Sequence, residues 1–342
     1  LVLVGLSYFW SQDIHQWERS FQVKFALILF PIAFGFIPRF SLRQLQWLTL
    51  LIGIILLGGV TYSLSFLVTD YDKYIREYRW SVLLPTPCSQ DHLRFSMALA
   101  FYTIWCIYMW PWLSDRKFKW ALTFLSIIFI AYLHILAAKS GLVAIYLFIA
   151  SWGIYMAVFR KRLGGLLVLV SIPVVFFLAV RYIPTFKERK NYIGYAWTML
   201  KEGDRSGNYG DVNRLMSYKL AIGLIAEHPW RGVGAGDMLH EMKKGYDKYY
   251  PQVDDKARLL PHNQFLTIAL ACGLPAMLLF SAWVLYPVTL LRRDRKSFFV
   301  FMVWLLLLFQ LLIEPVLEIQ YGVFLYLFFL LLQQQPMLDQ AI

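Results

Sequence analysis

Charge is scarce in this sequence. Only 16% of its 342 residues are Asp, Glu, Lys or Arg, against about a quarter in an ordinary soluble domain. A soluble globular fold is excluded on the same count, because 59% of the chain is hydrophobic and 18% aromatic, more apolar surface than one interior hides. Cysteine is scarcer still: Cys88, Cys106 and Cys272 are the three present. Two of them fall inside apolar runs, so a disulfide framework is excluded as well. Strand-like alternation, solenoid repeats, low-complexity tracts and a clear inverted repeat are also missing. With alternation gone, helices are left as the way to satisfy every backbone group in lipid.

What the chain does have is long apolar runs of the length that crosses a hydrocarbon core about 30 Å thick. Nine complete spans are predicted, at 22–38, 45–67, 95–112, 120–138, 140–159, 163–183, 263–290, 298–313 and 321–335. Residues 1–9 read as the end of a tenth. They have no initiating Met, no basic leader and no small-residue cleavage site, so they are read as following a missing N-terminal piece and not as a signal peptide. The expected fold is an all-α polytopic integral membrane protein with at least nine to ten transmembrane helices. It divides into N-terminal membrane helices over 1–183 with an outer loop at 68–94, a large loop over 184–261, and C-terminal membrane helices over 262–342.

Basic residues orient it. Four short connections hold Arg39 and Arg43; Arg116, Lys117 and Lys119; Arg160, Lys161 and Arg162; and Arg292, Arg293, Arg295 and Lys296. These 12 positive residues face only Asp115 and Asp294, and so carry +10 of the chain's net +12. All four fall on one side when nine spans alternate, and that side is expected to be cytoplasmic. The positive balance therefore reports topology, with membrane lipids as partners and no nucleic acid. The connections at 68–94, Lys139, 184–261 and 314–320 are placed outside.

The loop at 184–261 is 78 residues long and holds 13 Lys or Arg against 10 Asp or Glu. Loops of that length are usually functional or separately folded. Asp211 is expected to cap a helix running to about Glu227, with Val212, Met216, Leu220 and Leu224 as its apolar row. Arg214 then lies in the first turn, where a cation opposes the helix dipole. Two explanations stay open: an anion such as phosphate held by Arg214 and the free N–H groups, or a solvated arginine reaching lipid headgroups.

Two more positions share that placement. His262 follows Pro261 at the outer start of the 263–290 span and is expected in the first turn, where the positive helix end keeps the ring neutral and able to accept a proton. The bland alternative is an interfacial histidine on a headgroup or backbone group. Arg94 opens the 95–112 span, and Asp91 is available simply to pair with it. Two arginines at helix ends suit a diphosphate, and a neutral histidine suits deprotonation of a hydroxyl.

Other signals are weaker. Asp70-Tyr71-Asp72 has the Asp-x-Asp form of metal-dependent glycosyltransferases, a match common by chance. Gly232-x-Gly234-x-Gly236 has no strand before it, which argues against a dinucleotide fold. Glu314 and Glu318 are available to orient His262, bind acceptor or close a helix end beside Pro315. His134 and Lys139 line a cavity or cap a turn.

These residues resemble the O-antigen ligase and polymerase-like superfamily. Pro261-His262-Asn263-Gln264-Phe265-Leu266 with Gly273-Leu274 is similar to the family's HNxxL…GL signature after its large loop. Asn213-Arg214-Leu215 through His228-Pro229-Trp230-Arg231-Gly232-Val233-Gly234-Ala235-Gly236-Asp237 resembles R…(N/H)PxxGxGxG. Asp91 to Ser96 resembles an outer-loop arginine motif, and Glu314 to Gly322 the acidic hairpin before the last span. The chain departs from the pattern at Lys139-Ser140-Gly141, where Ser-Arg-Gly is common, and in having fewer than about twelve spans.

The resemblance implies an enzyme of the bacterial inner membrane with its large loop in the periplasm. It implies a glycan carried on undecaprenyl diphosphate and a hydroxyl acceptor, either lipid A–core oligosaccharide or another sugar chain, the first being preferred. His262 would be the catalytic base, Arg94 and Arg214 would bind the diphosphate, and Asn263, Glu314, Glu318 and Lys139 would support them. Neither metal nor cofactor is expected, since arginines replace Mg²⁺ as countercharge. A repeat-unit polymerase and a protein O-oligosaccharyltransferase share that chemistry. A flippase or transporter is the rival from another class, but it would place charge near the midplane in paired repeats.

Overall fold

The computed structural model describes the chain except for residues 39, 88–90, 203–209, 256–257, 291–294 and 335–342. Among the described residues it is helical, with no strand. In order the helices are α1 (Val2–Leu6), α2 (Ile14–Phe36), α3 (Leu42–Thr69), α4 (Tyr71–Tyr78), α5 (His92–Met109), α6 (Arg116–Leu136) and α7 (Lys139–Ile154). They continue as α8 (Gly164–Tyr182), α9 (Pro184–Lys201), α10 (Gly210–Glu227), α11 (Met238–Tyr249), α12 (Gln264–Leu285), α13 (Arg295–Ile313) and α14 (Gln320–Gln334). Among the described residues seven stretches are long and apolar enough to cross a membrane: α2, α3, His92–Trp112, α6, Lys139–Phe159, α8 and Gln264–Thr289. The remaining two expected spans appear as shorter apolar helices, Ser297–Ile313 and Gln320–Leu332. The first of these rises only about 25 Å at 1.5 Å per residue. Residues 2–9 form α1 and one 3₁₀ turn.

The chain divides into two compact units, Leu1–Ile37 with Ala196–Gln334, and Pro38–Tyr195. In the second unit α5 is the central helix: nearly every residue from Arg94 to Met109 is buried. Helices α3, α6 and α7 pack on it. The Tyr102 hydroxyl donates to Thr49 O at 3.1 Å and the Trp105 indole to Thr49 Oγ1 at 2.9 Å, so the polar tips of both buried aromatics are satisfied. Helix α7 comes close because position 141 is glycine; a Cβ there would collide with Ser96 O and Cβ. Beside it Ser140 Oγ lies 3.1 Å from Ser96 Oγ. Small residues and a shared hydroxyl contact are the usual means of close helix packing in lipid. Lys139-Ser140-Gly141 is thus in part a packing element. Cys106 and Cys272 are free and buried; Cys88 lies outside the described residues, as does Arg39.

In the first unit α12 is broken. Gly273 has φ 85° and ψ 173°, and Pro275 cannot donate to the carbonyl of residue 271. The freed groups need partners, because bare backbone is tolerated at such sites only when protein satisfies it. The His228–Gly236 segment supplies them. Val233 N–H donates to Leu270 O at 2.8 Å, Gly234 N–H to Ala271 O at 3.0 Å, and Leu274 N–H to Pro229 O at 2.8 Å. Glycines are required for this approach. Gly232 and Gly234 have φ of 65° and 101°, and a Cβ on Gly232 would run into the backbone of Leu270–Cys272. The two motifs that are distant in sequence therefore form one interlock.

Gly232→Val is expected to lower the unfolding temperature measurably in detergent, at a cost of at least about 1–3 kcal/mol for the strained conformation alone. Gly223→Ala provides the control, since a methyl there meets nothing within 4 Å and replaces glycine inside a helix, a change worth about 0.5–1 kcal/mol of stabilisation. Equal melting of the two variants would remove the interlock from the account of stability.

Candidate active site

Asn263 sets the start of α12. Its side chain accepts the Leu266 N–H at 3.0 Å, the usual work of an Asn cap, and its amide donates to Leu312 O at 3.0 Å near the end of α13. His262 therefore stands just before the cap and not in the first turn expected for it, because Asn263 and not Pro261 takes up the first free donors. Asn263 is a structural residue here, and it fixes the backbone that carries His262.

The imidazole meets a carboxylate. His262 Nδ1 lies 2.8 Å from Glu314 Oε1, and Arg214 Nη2 donates to the same oxygen at 3.1 Å. Glu314 follows α13 and is only 4% exposed, whereas the His262 and Arg214 side chains are 19% and 30% exposed. An ionised carboxylate can only accept, so it holds the proton on Nδ1 and leaves Nε2 with a free lone pair. A base positioned by a buried acid, beside an arginine, is an arrangement suited to taking a proton from a hydroxyl next to an anion.

Helix α10 delivers the arginine. It begins at Gly210, one residue before the expected cap Asp211, so Arg214 is its fifth residue and lies just past the first turn. The free N–H groups of that turn thus belong to residues 210–213. One turn further on, the Tyr218 hydroxyl donates to His262 O at 2.6 Å. Burial pushes this phenol up, which keeps it a donor at neutral pH. The expected apolar row is confirmed at Met216 and Leu220, both buried, and at Leu224, packed on the same core. Helix α10 thereby holds both the backbone of His262 and, through Arg214, its carboxylate.

Glu318 serves the hairpin. Its two oxygens take Gln264 Nε2 at 3.0 Å and Lys24 Nζ at 2.5 Å. Gln264 Oε1 in turn accepts the Leu317 N–H at 2.7 Å. This network ties the 314–320 segment to the start of α12. Sequence reasoning misses Tyr218, Lys24 and Gln264 as members of the site. An i, i+4 step from Arg214 points to Tyr218; nothing points to Lys24.

Arg94 belongs to the other unit. There its Nη1 sits 2.5 Å from Asp91 Oδ2, while Asp91 Oδ1 accepts the Arg94 N–H and caps α5. Lys139 is the first residue of α7 in that same unit. Asp70, in the Asp-x-Asp triplet, caps α4 by accepting the Lys73 N–H. Among the described residues no group of three or more His, Cys, Asp or Glu is placed to hold a metal ion.

Residues 124–281 match the family model for O-antigen ligase. The match bears out the resemblance carried by the motifs and supports a multi-pass membrane protein of the ligase and polymerase type. The matched segment begins within α6 and ends in α12, so it contains Arg214, the His228–Gly236 turn, His262 and the break at Gly273. Arg94 and Glu314 lie beyond its ends. No curated protein matches the chain.

Proposed function

We propose that this protein transfers a glycan from undecaprenyl diphosphate to a hydroxyl acceptor, lipid A–core oligosaccharide, at the periplasmic face of the inner membrane. The reading is carried by one observation, the Glu314 oxygen shared by His262 Nδ1 and Arg214 Nη2. His262 Nε2 takes the proton of the acceptor hydroxyl. The oxygen attacks the anomeric carbon from the face opposite the diphosphate, the carbon–oxygen bond to the diphosphate breaks, and the electron pair leaves on undecaprenyl diphosphate. One displacement inverts the anomeric centre. Arg214 offsets the charge gathering on the leaving group. For Arg94 the diphosphate role is a proposal that competes with the Asp91 pair.

The test uses purified full-length chain with undecaprenyl-diphosphate glycan and lipid A–core, in EDTA, with product followed by gel and mass. Wild type is expected to transfer and His262→Ala to lose it. Transfer that collapses in EDTA and returns with Mg²⁺ would overturn the metal-independent mechanism. Elongated donor in place of a ligated core would assign a polymerase. Arg214→Lys keeps the charge without the two-pronged geometry. It is expected to retain more transfer than Arg214→Ala if charge is what matters; equal losses would point to the guanidinium fork.

A further inference from the structure

The first unit holds an open recess of about 530 Å³ that the His262 cluster does not use. Trp10, Glu227, His228, Trp230, Arg231 and Glu241 are among the residues that line it. Asp237 is there too, but both its oxygens are occupied by the Gln12 and Asp13 N–H groups at 2.8 and 3.0 Å. Trp230 is 78% exposed, yet the backbone around it is fixed, since Pro229 O and Val233 N–H are bonded to α12. A large aromatic displayed on a rigid turn beside a cavity is a mark of a binding surface.

The chemistry of the lining narrows the ligand. An indole offers a flat apolar face with a polar tip, which matches a ring with C–H bonds on one face and hydroxyls around its edge. Carboxylates at Glu227 and Glu241 accept from hydroxyls, while Arg231 and His228 donate to them. Glu241 is paired with Lys244 Nζ at 2.7 Å, which leaves Glu227 and Asp237 against Arg231, so the recess disfavours phosphate. On helix α10 Glu227 lies 13 positions after Arg214, about 20 Å along the axis at 1.5 Å per residue. A ligand here is thus remote from the bond being made.

We propose that the recess binds a phosphate-free, hydroxyl-rich stretch of the acceptor glycan, several sugars away from the one that reacts. The proposal rests on the glycan-transfer reading above. Its test is binding and not turnover: ligand-observed NMR on the full chain in detergent, with deacylated and dephosphorylated core oligosaccharide as probe. Wild type and His262→Ala are expected to bind alike. Trp230→Ala and Glu227→Gln, both at exposed positions, are expected to weaken binding about tenfold or more, with unchanged melting. Absence of binding to wild type, or unchanged affinity in both recess variants, would overturn the proposal. So would competition by glycerophosphoethanolamine, which would assign Trp230 to a lipid headgroup. If His262→Ala still transfers glycan while the recess variants lose binding, the catalytic reading fails and the recess stands.

Discussion

Glu314→Gln, His262→Ala and the double variant are expected to fall to a common floor, about 10²–10⁴-fold below wild type in transfer, the range that general base catalysis supplies. The reason is tautomer control. Glu314 Oε1 sits 2.8 Å from His262 Nδ1 and is nearly buried, so the carboxylate fixes which nitrogen carries the proton. A glutamine amide can instead donate to Nδ1, placing the proton on Nε2, where the base must be empty. Replacing the acid of a serine protease triad by its amide costs about 10⁴-fold for the same reason. Residues that act as one unit also lose their effects together, so the double variant adds little to either single. Single-turnover rates with saturating donor give the comparison. Near-normal rates for Glu314→Gln alongside an inactive His262→Ala would show that the carboxylate does not orient the base. A Glu314→Asp variant separates charge from reach: its shorter side chain keeps the acceptor and pulls it back from Nδ1, so an intermediate rate is expected.

Much of this molecule is legible in its sequence, for identifiable reasons. Runs such as 45–67 and 163–183 are long, carry no charge but Arg181 and are each preceded by basic residues, and they become α3 and α8 with ends only a few residues away. The His262 motif, Arg214 and Glu314 are each visible as polar groups at the edges of apolar runs. What their spacing does not carry is the order of contacts. In the sequence Glu314 is one of several supporting positions, and only the fold shows that its single oxygen joins a histidine 52 residues before it to an arginine 100 residues before it. Gly232-x-Gly234-x-Gly236 lacks the strand that a dinucleotide fold needs, but its purpose is hidden at that level. It lies in the backbone of α12, where Gly273 and Pro275 free two carbonyls that the glycine turn reaches. Gly-x-Pro inside an apolar run signals such a break, and the partner for the freed groups is the part that sequence spacing does not give. Arg214 and His262 each move by a residue or so relative to the helix ends expected for them, because Asn263 outcompetes its neighbours as a cap and α10 starts before Asp211.

Lys24 shows the limit more sharply, and it carries the second large prediction. Its charge stands two residues inside the expected 22–38 span, and its partner lies 294 residues away. Lys24 is 5% exposed and its ammonium touches Glu318 Oε2 at 2.5 Å and Ser20 Oγ at 2.8 Å. Lys24→Met is expected to destabilise the chain by about 3–5 kcal/mol, because it strands a mostly buried carboxylate rather than because the pair itself is worth that much. Removing both charges, in Lys24→Met with Glu318→Gln, is expected to recover most of the loss: the introduced glutamine is neutral and can still bond Gln264. Thermal unfolding of the two variants in detergent makes the comparison, and a double variant as unstable as the single would refute the stranded-charge argument. The same pair reaches the candidate site through the hairpin. Glu318 and Gln264 hold Val316–Glu318 against the start of α12, and Glu314 heads that hairpin. Lys24→Met should therefore also reduce transfer in protein that remains folded, and the double variant should return it. If transfer follows stability in both variants, the buried pair acts on catalysis by positioning Glu314 against His262; if stability returns and transfer does not, Glu318 has a role in the reaction that its contacts with Lys24 and Gln264 do not explain.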